Sequence, residues 1–222
     1  MQTTTSSGLR LYDYSASANC YKVRLLLAQL GRPYERIPVD IFAGKTLGDE
    51  YAAINPAREV PVLETEDGRF LPDSGAILVY LADSTPFMPA DALGRADIVR
   101  WLVYEQTAVI PTMGGLRFRL QTDRLSLDDE GVIVRRQGAA AALGLLDDHL
   151  AAREFFAGGH YSVADIALYA YIHVAGEASI DLQPYANVSA WLERVRLQPG
   201  HMNDLEPYPP NARKGAGRSI YD

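Results

Sequence analysis

Strand signals stop early in this chain, and that asymmetry limits its possible folds more than any other feature. Up to Asp83 strand and helix patterns alternate; from Arg95 to Leu197 every pattern is helical. "LRLYDY" (Leu9 to Tyr14) alternates and carries aromatics, which predicts a strand. Cys20, Val23, Leu27 and Leu30 recur at three- and four-residue steps with Lys22, Arg24 and Gln29 between them. That spacing predicts a helix with one buried stripe, ended by Gly31 and Pro33. "YERIPVDI" follows as a second strand and "DEYAAINP" as a short helix stopped by Asn55-Pro56. "VPVLETEDGRFLP" reads as two short strands around the Asp67-Gly68 turn, and "DSGAILVYLAD" as a helix opening on Ser74. "STPFMPADALG" is a linker. Beyond it lies one long helix from Arg95, expected to bend near Pro111 or at Gly114-Gly115. "GVIVRRQGAAAALGLLDDHLAA", "YSVADIALYAYIHVA" and "VSAWLERVRLQ" are further helices. The third of these four helices opens on Ser162 and Asp165, an acidic variant of the capping box, with Tyr161 and Ile166 placed for a hydrophobic staple. An α/β half followed by an all-α half implies two domains. The expected layout is an α/β domain over 1–83, a linker over 84–94, a helical domain over 95–198 and an extension over 199–222. The extension is rich in Pro, Gly, Asn and charge, so it is expected to lie on the surface or be partly disordered, or else to form a lid over the site.

Composition removes several function classes. The formal net charge of −7 argues against a general nucleic-acid binder, which needs a basic face. "MQTTTSSG" is polar and uncharged, unlike a secretory signal. The most apolar run, "IALYAYIHVAG" (Ile166 to Gly176), is too short to span a bilayer. A single cysteine permits neither an internal disulfide nor a cysteine-based zinc site. His149, His160, His173 and His201 show no metal-ligand spacing. "GAGRS" follows no strand and is not a phosphate loop. These features fit a cytoplasmic protein without a metal.

Several motifs occur in one order: "SANCYKVRLLL" after a first strand, "NPAREVPVL" with its Val-Pro, "DSGAILVYLAD", the "RWLVYEQ" helix and the "YSVADIAL" cap. In this order they resemble the cytosolic glutathione S-transferases, over roughly Leu9 to Gln198, and in particular bacterial serine-type branches (theta-, beta- and nu-like). The resemblance implies a thioredoxin-like α/β domain followed by an all-α domain, usually as a homodimer. It also implies glutathione as co-substrate, with a small electrophile, a disulfide or a peroxide as partner. A non-catalytic relative serving as a protein-interaction module is the alternative.

Thioredoxin-like redox proteins start this helix with C-x-x-C, the nucleophile first. Here the window reads Ser17-Ala18-Asn19-Cys20. Cysteine holds the fourth position, on the stripe with Val23 and Leu27, so Cys20 is expected to be a packed side chain and glutathione to supply the sulfur. Serine is a good helix N-cap. The resemblance adds a second role for Ser17: donating a hydrogen bond to the glutathione thiolate. Asn19 can donate through its amide, Ser15 is the alternative hydroxyl, and Tyr12 inside the strand is expected to be structural. For the rest of glutathione, the resemblance implies that Val60-Pro61 is a cis-proline site whose Val60 backbone pairs with the cysteinyl unit, as an added strand would. Asp73 and Ser74 either cap a helix or take the γ-glutamyl end, Ser74 and the helix N–H groups holding its carboxylate and Asp73 its ammonium. Lys45 would meet the glycyl carboxylate. Glu59 departs from the lysine or glutamine often found before the Val-Pro, and would repel a carboxylate at close range. The second substrate is expected against the long helix, near Tyr104, Met113 and Arg117.

Overall fold

The computed structural model describes residues 8–221, which form two compact units, one over 8–81 with 202–221 and one over Ala82–His201. The first unit carries a four-stranded sheet in the order β2-β1-β3-β4. Its strands are β1 (Leu9–Asp13), β2 (Tyr34–Pro38), β3 (Val62–Glu64) and β4 (Phe70–Pro72). β1 runs parallel to β2 and antiparallel to β3, and β3 and β4 form the hairpin expected at Asp67-Gly68. The parallel pair requires a crossover, which helix α1 (Ala18–Gln29) supplies. Helix α2 (Asp49–Ile54) lies between β2 and β3, and α3 (Ser74–Ala82) follows β4. A mixed sheet with helices and a following all-α unit is the α/β plus all-α architecture expected from the order of elements.

α1 is more deeply buried than a single stripe would require. Its apolar positions Cys20, Val23 and Leu27 are in the core, but Lys22 and Arg24 are also fully buried. For Arg24 the cause is the C-terminal segment, which the sequence suggested was a surface extension and which packs against this unit. The Arg24 guanidinium bonds both carboxylate oxygens of Asp204 at 2.9 Å, the buried Asp13, and the carbonyls of Ser15 and Asp204. Tyr21 donates its hydroxyl to the Met202 carbonyl at 2.8 Å, and the Glu206 N–H donates to the Ser15 carbonyl at 3.3 Å. Farther on, Ala212 is fully buried and Asn211 donates to Asp40.

The helical unit comprises α4 (Ala92–Tyr104), a π-helical stretch over Glu105–Gly114, α5 (Gly115–Gln121), α6 (Glu130–Leu150), α7 (Val163–Ile172) and α8 (Ala186–Arg196). Pro111 has no N–H to give and its ring crowds the preceding turn, so an ordinary α-helical register fails there. The chain answers by widening: the Gly115 N–H reaches the Ile110 carbonyl, a five-residue bond. Gly114 is needed within that stretch, since a Cβ there would lie 2.5 Å from the Tyr171 ring. α7 is buried along its whole length, which explains its unbroken apolar run. Its box residue Asp165 is also the hub of the unit. Its carboxylate accepts from the Ser162 N–H and hydroxyl at 3.0 Å, the Phe156 N–H at 3.1 Å and the Trp191 indole at 2.9 Å. Among the described residues, no helix is long and apolar enough to cross a membrane.

Candidate functional site

β1 ends at Asp13, and the chain turns directly into α1. Ser17 adopts an extended conformation and caps that helix, its Oγ accepting from the Cys20 N–H at 3.3 Å. The hydroxyl proton of Ser17 has no acceptor among the described residues. A serine hydroxyl can accept and donate at once, so the cap bond fixes the oxygen while leaving its proton available. Asn19, two residues farther and inside α1, accepts the Ser74 hydroxyl on its Oδ1 at 3.2 Å. Its amide N–H groups donate to no described residue. The start of α1 therefore carries two donors, at the positive end of the helix.

Ser15 is placed differently. Its Oγ accepts from Arg36 at 3.1 Å, and its carbonyl is held by Arg24 and by the C-terminal segment. Cys20 is fully buried and its sulfur accepts from the Tyr14 N–H at 3.4 Å. Burial pushes its thiol up to about 12, with Asp13 adding to the shift, so no thiolate forms there near neutral pH. Tyr12 spends its hydroxyl on Glu64 across the sheet at 3.1 Å.

The β1–β3 register pairs Tyr12 with Val62, which carries Val60-Pro61 to the end of the sheet where α1 begins. The Val60-Pro61 bond is cis. The Val60 backbone hydrogen-bonds to no other described group. The Glu59 carbonyl is held by the Tyr51 hydroxyl at 3.0 Å and the Asn55 amide at 2.9 Å, and its side chain is exposed. At the start of α3, Asp73 lies in the left-handed region at φ 72°. Its Oδ1 caps the helix through the N–H groups of Gly75 and Ala76 at 2.9 and 3.1 Å. A non-glycine residue held there is strained, and such strain persists where surrounding contacts over-determine it. The Ser74 hydroxyl donates to Asn19 Oδ1 at 3.2 Å and so joins the starts of α1 and α3. Lys45 is exposed on the loop before α2.

The residues expected at the second substrate are engaged within the helical unit. Tyr104 donates to the Ala142 carbonyl at 3.2 Å, Met113 is buried, and Arg117 is buried in an ion pair with Glu177 at 2.7 Å.

Two family models match the chain. Residues 11–87 match the glutathione S-transferase N-terminal domain, and residues 121–194 match the C-terminal domain. The chain belongs to the glutathione S-transferase family. Among solved structures of this family, one from Pseudomonas fluorescens Pf-5 is 38% identical, with a TM-score of 0.87 over 90% of this chain and 100% of that one. A glutathione transferase from Burkholderia graminis, with two glutathione molecules bound per subunit, is 30% identical with a TM-score of 0.76, over 89% of this chain and 87% of that one. The disulfide-bond oxidoreductase YfcG of Escherichia coli K12 is 28% identical over 197 residues, 84% of this chain and 89% of that protein.

The sequence placed the C-terminal segment on the surface or as a lid, and did not foresee that it packs along the α/β unit. The segment runs from Tyr21 past Ser15 to the loop before α2, so it borders the start of α1 and the segment carrying Lys45. No local pattern marks that packing, because the segment's partners Tyr21, Arg24 and Asp40 lie 181, 180 and 171 positions away.

Proposed function

We propose that this protein is a glutathione-dependent enzyme that binds glutathione on its α/β unit and activates the thiol through Ser17 and Asn19. The observation that carries this reading is the pair of uncommitted donors at the N-terminus of α1. A free thiol near pKa ~8.5 is mostly protonated at neutral pH. A hydrogen bond to a charged group contributes about 1.5–3 kcal/mol, which is about one to two pKa units for each donor. Two such donors at a helix N-terminus are enough to make the bound sulfur mainly thiolate at pH 7. Cys20, buried and protonated, serves packing.

The remaining groups fit the rest of the tripeptide. The open backbone of Val60 pairs with the cysteinyl unit. Asp73 uses one carboxylate oxygen as a cap and has the other for the γ-glutamyl ammonium. Ser74, already bonded to Asn19, links this end of the ligand to the thiol end. Lys45 meets the glycyl carboxylate. The thiolate then attacks a small electrophile, a disulfide or a peroxide. YfcG, named for disulfide-bond chemistry, supports including the second class, whose product requires a further thiol. The enzyme works in the cytoplasm as a homodimer. Exposed Val79 and Tyr80 on α3, and Leu93, Val99 and Val103 on α4, supply apolar surface for that association.

The test is calorimetric titration with glutathione, together with ultraviolet absorbance of the bound thiolate across pH. Binding with a thiol pKa clearly below that of free glutathione supports an enzyme. Binding without any such depression, and without turnover on a panel of electrophiles, disulfides and peroxides, favours the non-catalytic module.

A further inference from the structure

The C-terminal segment ends against the loop that precedes α2. The Arg218 N–H donates to the Phe42 carbonyl at 2.8 Å, and Arg218 pairs with Ala43 in a parallel bridge. The approach is close. A Cβ on Gly217 would lie 2.5 Å from the carbonyl oxygens of both Asn211 and Phe42, so only glycine passes there. A Cβ on Gly44 would lie 3.7 Å from the Cβ of Arg218, which sets Arg218 beside the residue that precedes Lys45.

Lys45 and Arg218 are both exposed, and neither forms an ion pair or side-chain hydrogen bond among the described residues. Thr46, the next residue, is 1% exposed and its buried hydroxyl has no hydrogen-bond partner there. Three residues beyond Arg218, the Tyr221 ring rests on Phe42 with centroids 6.4 Å apart. Its hydroxyl is pushed up to about 12, by partial burial first and then by the Glu59 carboxylate. The segment thus runs along the loop that carries Lys45, touching it at Phe42, Ala43 and Gly44. Lys45 and Arg218 are two exposed cations on adjoining backbone segments, with no carboxylate in ion-pair reach among the described residues, an arrangement suited to taking up an anion. In a chain with net charge −7, such a pair is not a consequence of composition.

We propose that Arg218, carried in by the C-terminal segment, recognises the glycyl carboxylate of glutathione together with Lys45. The planar guanidinium fork matches a carboxylate in a way that a lysine point charge does not. The cation pair also offsets Glu59, whose charge alone would weaken binding. This rests on the reading of the α/β unit as a glutathione site.

The experiment compares two ligands by calorimetry, glutathione and its glycinamide analogue, in which the glycyl carboxylate is replaced by a neutral amide. The proteins are wild type, Arg218→Ala and Arg218→Lys. Both substitutions keep the backbone bridge to Phe42 and change an exposed side chain. Arg218→Ala is expected to weaken glutathione about tenfold, the loss of one charge-assisted hydrogen bond, and to leave the amide's affinity unchanged. Arg218→Lys should recover part of the loss. Equal weakening of both ligands, or none, overturns the assignment while leaving the glutathione site intact. Failure of wild type to bind glutathione overturns the site itself and the assignment with it.

Discussion

Ser17→Ala separates the two things its hydroxyl does. The oxygen accepts the Cys20 N–H at 3.3 Å, a long bond, so its loss as a cap should cost about 0.5–1 kcal/mol of stability. The proton has no acceptor among the described residues, and in the proposed complex it points to the glutathione sulfur. Losing that donor removes about 1.5–3 kcal/mol from the thiolate alone, so the bound thiol's pKa should rise by about one to two units. The sign follows from which form is stabilised: with less help for the anion, ionisation needs a higher pH. Turnover at neutral pH should fall about tenfold or more for each unit by which the pKa exceeds the working pH. Raising the pH should recover much of it, because the thiol still ionises unaided. The assays are thiolate absorbance against pH for the bound ligand, a pH–rate profile, and thermal melting of both proteins. A lower melting temperature with an unchanged thiol pKa would refute the reasoning and leave Ser17 as a cap, with Asn19 the remaining donor.

Three further outcomes follow from the structure. Cys20 is fully buried, so a thiol reagent should fail to modify the native protein and should titrate one thiol after unfolding; Cys20→Ala should keep most turnover, and its loss in a folded variant would undo the serine reading. Burial raises the Asp165 carboxyl from the ordinary carboxylate range to about 6, against four donors that pull it down. The native state then holds this proton more tightly than the unfolded chain, so stability from this group is full below pH ~4 and is lost by about 3 kcal/mol as pH rises through 6. Denaturant unfolding of wild type and Asp165→Asn from pH 4 to 7 should show that slope only in wild type, over a variant destabilised throughout by facing its amide to donors; parallel curves would contradict it. Light scattering at micromolar concentration should give a dimer mass, and substituting Val99 and Val103 with lysine should shift it to monomer; a wild-type monomer would remove the dimer from the proposal.

What was legible in the sequence had local causes. The helix start at Ser17, the hairpin at Asp67-Gly68 and the cap at Ser162 are each set by a few adjacent residues, whereas the Val60-Pro61 bond was expected from the family resemblance alone. The fate of Cys20 was local too, since its place on an apolar stripe already put it in the core. The candidate site residues Ser17, Asn19 and Ser74 sit at helix starts that could be found by pattern. Their division of labour could not, because the Ser74 hydroxyl reaches Asn19 across 55 positions. The π-helical stretch was visible only as a proline in the wrong place, since how a helix absorbs a lost N–H depends on what packs around it.

Arg24 shows why the C-terminal segment escaped notice. On the helix pattern it belongs to the polar face, and nothing near it says otherwise. Its partner Asp204 lies 180 positions away. Yet a fully buried guanidinium cannot be left half satisfied, since breaking a buried pair costs about 3–5 kcal/mol. Asp13 fills one edge of the fork, but it also accepts Arg36, so its charge is shared between two arginines. Asp204 supplies the second carboxylate and fills the Nε edge. The returning segment is therefore the counter-charge that lets Arg24 be buried, and Arg24 is the anchor that holds the segment along the start of α1. Once that ion pair forms, the path onward past Ser15 and Asp40 to Phe42 is short. Arg218 is thus brought to the Lys45 loop by a charge balance struck at the opposite end of the segment.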